Sequence, residues 1–269
     1  MYQLINDFSM SYDYFGSGVP LLMIHGYPLS RKLWQPQAGL ADIARVIAPD
    51  LRGHGDSSNP NTQSDGPIAY PMDMLASDCA ELLDALSINT PVVVCGLSMG
   101  GYITFAFYRK YPQRVAGLIL AATRSGMDTP EGKSNRKNAV DTVRRSGVEA
   151  IAESMLPRMM SPNTYAKRPE LAASVMEIMR SISVQGVIGD QLGMSDRSDS
   201  TPLLSQIDKP TLIIHGTDDQ LIPLAEAETM HSAIADSTLK AVPDAGHLVN
   251  LEQPFLFNQA VREFLTQFV

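Results

Sequence analysis

Six short apolar runs recur along the chain, each bounded by turn residues: Val19–Ile24, Ala44–Ala48, Pro91–Cys95, Val115–Ala121, Thr211–Ile214 and Thr238–Val242. Continuous apolar runs of this length suit strands buried on both faces, as in a parallel sheet covered by helices. Parallel neighbours need crossover connections, and helical patterns lie between the runs. Met72–Leu86 sets Leu75, Cys79, Leu82, Leu83 and Leu86 on one stripe, with Asp78, Glu81 and Asp84 elsewhere. Leu224–Ile234 and Phe255–Phe268 carry the same signal. Two further strands, Tyr2–Ile5 and Ser9–Tyr14, open the chain, and Gly16-Ser17-Gly18 closes them. The pattern predicts an α/β fold, a mostly parallel twisted sheet with helices on both faces.

One block departs from the alternation. Arg124–Thr201 holds no convincing strand and reads as several helices punctuated by Pro130, Gly147, Pro157, Pro162, Pro169 and Gly186. The expected organisation is therefore a core of residues 1–123 and 202–269 with a helical insertion at 124–201. Seven of the 14 methionines fall in it, among them Met127, Met155, Met159 and Met160. Flexible thioethers fill gaps in small helical packs, and they also line adaptable apolar pockets. Those four are taken as candidate substrate contacts. Asp190–Ser200 is polar and reads as a loop returning to the core.

Composition removes several classes of function. The net charge is −8 with no Lys/Arg cluster standing out, so neither a nucleic acid nor an anionic membrane surface is an expected partner. No stretch approaches the roughly 20 apolar residues of a membrane span, and Met1–Asp7 lacks a signal peptide's basic start. The expectation is a cytoplasmic protein. Cys79 and Cys95 cannot form a disulfide framework, and no His/Cys/Asp cluster shows metal-ligand spacing, so no metal or cofactor is expected.

Chemistry concentrates at Gly96-Leu97-Ser98-Met99-Gly100-Gly101, between a strand and a helix pattern. A serine on so sharp a turn needs glycines two residues away on each side, and the turn lifts its Oγ above the sheet edge. A serine hydroxyl also needs a base. His25, His54 and His215 sit beside glycines at strand or turn ends and read as structural; His231 lies mid-helix. His247 follows the last strand and comes after the serine, at the sheet end where ligands collect. The acid should lie between them at a strand end. Gly216-Thr217-Asp218-Asp219 offers two adjacent aspartates, while Asp128 and Asp244 are weaker alternatives. An oxyanion would need two N–H donors: the Met99 amide, and the Tyr27 amide in His25-Gly26-Tyr27-Pro28, where Pro28 has none to offer.

Together with Pro49–Ser57 and Gly246-His247, these landmarks resemble the α/β-hydrolase superfamily, in particular its cofactor-free serine esterase and lactonase-like members. The resemblance spans nearly the whole chain. In that family the acid stands three residues after the glycine and four before a proline. Asp219 meets both conditions against Gly216 and Pro223, and Asp218 meets neither. The resemblance thus implies a Ser98–His247–Asp219 triad, an oxyanion hole at Tyr27 and Met99, a helical cap where Arg124–Thr201 lies, and a structural turn at His54. Ser98 stands where dehalogenases and epoxide hydrolases of this fold carry aspartate. The implied function is hydrolysis of small to medium carboxylic esters. Enol-lactonases, C–C bond hydrolases, perhydrolases, acyltransferases and non-catalytic ligand receptors share the fold and remain open. The implied partner is a small-molecule ester or lactone.

Overall fold

A computed structural model describes residues 1–59 and 68–269. The strands are β1 (Tyr2–Ile5), β2 (Phe8–Gly16), β3 (Val19–Ile24), β4 (Ala44–Pro49), β5 (Val92–Leu97), β6 (Val115–Ala121), β7 (Thr211–Gly216) and β8 (Ser237–Val242). They form one sheet in the order β1-β2-β4-β3-β5-β6-β7-β8. β1 and β2 pair antiparallel, as do β2 and β4, and the other five pairings are parallel. All six apolar runs fall on strands of this sheet, extended by a residue or two at some ends, with Pro91 left outside β5.

The alternating side chains of each central strand bury on both faces. Leu22 and Ile24 of β3 join Val92 and Val94 of β5 in one apolar cluster, with helices α1 (Met72–Ala85) and α2 (Met99–Lys110) against them. Leu21, Met23, Val93 and Cys95 point the other way. There they meet a 3-10 helix at Arg31–Leu40 and the C-terminal helix.

Between β6 and β7 the chain forms α3 (Pro130–Met159, kinked at Gly147), α4 (Pro162–Lys167), α5 (Pro169–Arg180), α6 (Val184–Ser195) and the short α7 (Thr201–Leu204). After β7 come α8 (Leu224–Ala233), α9 (Val249–Glu252) and α10 (Pro254–Leu265). The inserted helices join both apolar clusters, through Val187 and Met194 on one side and Leu156 and Met159 on the other. They are also stitched to the core by hydrogen bonds from the Leu248 amide to Met159 O and from the Ser183 amide to Gly53 O, at 3.0 and 2.8 Å.

One expectation is corrected. The supposed loop Asp190–Ser200 is helical as far as Ser195, because Val187, Asp190, Gln191 and Met194 form a buried face. Its glycines let the main chain of Tyr70 approach so closely that a Cβ on Gly193 would lie 1.9 Å from Tyr70 O. Asp78, set apart from the apolar stripe of α1, is buried all the same. It accepts from Arg52 Nε and Nη2 at 2.5 and 2.7 Å. Among the described residues no single helix is long and apolar enough to cross a membrane.

Candidate active site

The chain order reverses between β3 and β5, so the loops after these two strands diverge and leave a crevice at their C-terminal ends. Ser98 stands at that crevice, between β5 and α2. Its backbone is held at φ 57° and ψ −115°, a region that costs a non-glycine residue about 1–3 kcal/mol. The turn is possible because its neighbours lack side chains: a Cβ on Gly96 would lie 2.2 Å from Gly100 O. Ser98 is pinned by its amide to Ala121 O at 2.9 Å, and by Thr123 Oγ1, which donates to its carbonyl at 2.8 Å.

The loop after β3 comes alongside. A Cβ on Gly26 would lie 3.0 Å from Ser98 Cβ. Neither the Tyr27 amide nor the Met99 amide has an acceptor among the described residues. Met99 opens α2, where backbone N–H groups lack intrahelical partners and the helix dipole favours negative charge.

His247 and Asp219 arrive from the other side, after β8 and β7. His247 Nδ1 lies 2.8 Å from Asp219 Oδ2, and both side chains are buried. The second carboxylate oxygen accepts from the amides of Leu221 and Ile222 at 2.8 and 3.0 Å. Burial alone would push the Asp219 carboxyl up. The charge of His247 and hydrogen bonds from His215, His247 and the Ile222 amide outweigh burial and hold it well below the usual carboxylate range. With the carboxylate fixing the proton on Nδ1, the other ring nitrogen of His247 is left as a base. The Asp218 side chain is exposed and accepts only from Thr217 among the described residues, while its amide donates to Ala245 O.

Of the remaining histidines, His25 pairs through Nδ1 with Gly26 O and accepts at Nε2 from the Leu51 amide. His54 has Asp190 3.0 Å from its Nε2, with both side chains fully buried. Its pKa is raised because that carboxylate outweighs the effect of burial. His215 contacts Ile222 O. None of the three lines the Ser98 cavity, although His215 Nε2 also lies 3.4 Å from Asp219 Oδ2. Cys79 and Cys95 are buried and free, and burial pushes both thiols up. No group of three or more His, Cys, Asp or Glu among the described residues could hold a metal ion.

Ser98 and His247 line one cavity of about 190 Å³, with Tyr27, Tyr102, Leu221 and Ile222 around them and Met155, Met194, Arg124 and Arg136 from the inserted segment. Of the four candidate methionines only Met155 reaches it. Met127 is 48% exposed in the loop before α3. Met159 and Met160 are fully buried where α3 packs on the sheet, in the cluster of Ile119 and Ile214. They are packing residues, corrected from the expected contact role. Sequence reasoning missed Leu221 and Ile222, an apolar pair in a loop between Asp219 and Pro223. It also missed Arg124 and Arg136 as wall residues. Arg124 stands three residues after the end of β6, which was a usable signal.

Known proteins match this chain at four points. The alpha/beta hydrolase fold family matches residues 19–254. A thermophilic esterase from Thermogutta terrifontis, solved with malate bound, superimposes with a TM-score of 0.94 and 40% identity over 99% of this chain and 98% of that one. Among curated proteins, 3-oxoadipate enol-lactonase 2 of Acinetobacter baylyi is 31% identical over 97% of this chain and 95% of its own. A non-heme chloroperoxidase of Streptomyces lividans is 30% identical over 92% of both.

Proposed function

The chain belongs to the alpha/beta hydrolase fold family, and from that membership we propose that it is a serine hydrolase of small carboxylic esters, acting through Ser98, His247 and Asp219. One observation carries the reading: Ser98 and His247 line the same cavity, and the far nitrogen of that histidine is held by Asp219 at 2.8 Å. His247 takes the Ser98 proton as Oγ attacks the ester carbonyl, and Asp219 stabilises the imidazolium that forms. The amides of Tyr27 and Met99 receive the oxyanion, each such donor contributing about 2.7–4 kcal/mol in the transition state. His247 then protonates the leaving alcohol, and water repeats the sequence on the acyl-enzyme. No step requires a metal or organic cofactor.

The inserted helices act as a cap that supplies Met155 and Met194 to the pocket. A cavity of about 190 Å³ is below the roughly 300–1,000 Å³ of drug-sized sites, which favours short acyl groups. A second reading, hydrolysis of a lactone by the same residues, is favoured by the enol-lactonase relative. The test is a p-nitrophenyl ester chain-length series beside a lactone panel on purified protein. The expected result is turnover falling with acyl length, or selective lactone opening. No turnover of any ester or lactone would overturn the reading.

A further inference from the structure

The cavity wall carries two arginines, Arg124 and Arg136, and no carboxylate among the described residues that line it. Arg124 Nη2 and Arg197 Nη1 contact Asp128 at 2.7 and 2.8 Å, and Arg136 Nε contacts it as well. One carboxylate thus serves three guanidiniums, and Arg136 and Arg197 hold it down at about 2 against the effect of burial. Glu226 also acts on Arg124, and Asp190 is matched by His54. Asp190 also acts on Arg136, but among the described residues no Asp or Glu lines the cavity itself, where Arg124 and Arg136 stand beside the nucleophile. Arg124 Nε is moreover buried without an acceptor among the described residues, as is the Tyr27 hydroxyl. Unpaired donors are costly where water is excluded, unless a ligand completes them.

Outside the cavity the same sign continues. Arg136 also lines an adjoining groove of about 630 Å³ on α3, with Lys133, Lys137 and Arg144 against the single carboxylate of Asp141. Lys133, Lys137 and Arg144 are exposed, form no ion pair among the described residues, and repeat at helical spacing on one face. Like charges four apart weaken a helix, so this face is not there for stability. In a chain of net charge −8 it is a cationic face that meets the Ser98 cavity at Arg136, which lines both.

We infer that the substrate is a short ester or lactone bearing a carboxylate, held by Arg136 and Arg124 while Ser98 meets the scissile carbonyl, and drawn in along the Lys133–Lys137–Arg144 face. The inference rests on the hydrolase reading above and narrows its substrate class. Guanidinium suits the task because its fork accepts a carboxylate through paired charge-assisted bonds.

Monomethyl glutarate and dimethyl glutarate form the test pair, since they differ in whether the remote carboxylate is free or capped. Hydrolysis is followed by methanol release. Wild-type kcat/KM should favour the monoester by roughly tenfold or more, the worth of one charged hydrogen bond, and the preference should shrink with added salt. Arg136→Gln and Arg124→Gln should each collapse the monoester-to-diester ratio, with Arg136→Lys keeping more of it. A purely structural role would lower both rates and leave the ratio alone. The triple variant Lys133→Gln, Lys137→Gln, Arg144→Gln, on exposed positions, should remove most of the salt dependence. A wild-type ratio at or below one, or a ratio unmoved by both arginine variants, would overturn the inference. Failure of the hydrolase reading looks different, as no substrate turns over. In that case glutarate itself is titrated calorimetrically: binding lost in Arg136→Gln upholds the anion site, and no binding to wild type overturns it.

Discussion

His247 Nδ1 lies 2.8 Å from Asp219 Oδ2, although the two side chains leave the sheet on different strands, β8 and β7. Asp218, the adjacent residue, is turned to solvent. An aspartate that fixes the histidine tautomer should matter far more than a turn aspartate. Asp219→Asn is predicted to lower kcat by about 10⁴-fold, and Asp218→Asn to change it by less than about threefold. Steady-state kinetics on a p-nitrophenyl ester decide the matter, and equal losses would contradict the assignment.

Asp128 should make stability fall with acid. Its folded pKa of about 2 lies below the ordinary 3.8, so the unfolded chain binds more protons between these values. The stabilisation is complete above about pH 4 and is lost as pH drops toward 2, amounting to about 2 kcal/mol. Asp128→Asn leaves Arg124, Arg136 and Arg197 without their shared partner, and should cost about 3–5 kcal/mol at pH 7. The gap between wild type and variant, measured by urea unfolding, should narrow toward pH 2. A gap independent of pH would show that the carboxylate charge is not what the arginines use.

The methionines separate by position. Met155→Ala should shift the acyl-length optimum by about one or two carbons, since a pocket wall discriminates by about 1–3 kcal/mol per methylene. Met159→Ala and Met160→Ala should lower stability by about 2–5 kcal/mol and leave relative specificity unchanged. Met127→Ala should do neither. Melting temperatures beside the substrate series distinguish these outcomes.

The turn at Ser98 should not tolerate added volume. A Cβ on Gly100 would lie 2.2 Å from Ile24 O, which is backbone and cannot swing aside. Gly100→Ala is predicted to cost at least about 1–3 kcal/mol, measured by denaturant unfolding. A variant as stable as wild type would mean that β3 and α2 are farther apart than described.

The sheet was legible because double burial writes an unbroken apolar run. Val115–Ala121 can be read to the residue for that reason. The 3-10 helix Arg31–Leu40 was not legible, since Pro36, Gln37 and Gly39 interrupt any apolar period. The serine and histidine were readable from local turn chemistry. Choosing Asp219 over Asp218 needed the spacing of a whole family, because both aspartates suit a turn. Pairings distant in sequence left no trace: nothing near Asp190 announces His54, and nothing in α1 announces Arg52. The cationic face escaped notice because Lys133, Lys137 and Arg144 are spread over three helical turns and form no run. The methionines misled because the same thioether fills a core and lines a pocket, and only burial separates Met155 from Met159.

The most direct test of the account is labelling and turnover of Ser98→Ala beside wild type. A fluorophosphonate probe should label wild type and leave the variant unlabelled. The variant should lose ester hydrolysis by about 10⁴-fold or more while keeping its melting temperature, because removing the nucleophile leaves only the residual effect of binding and the oxyanion donors. Turnover within tenfold of wild type, or labelling of the folded variant at the same rate, would contradict the assignment of Ser98 as nucleophile.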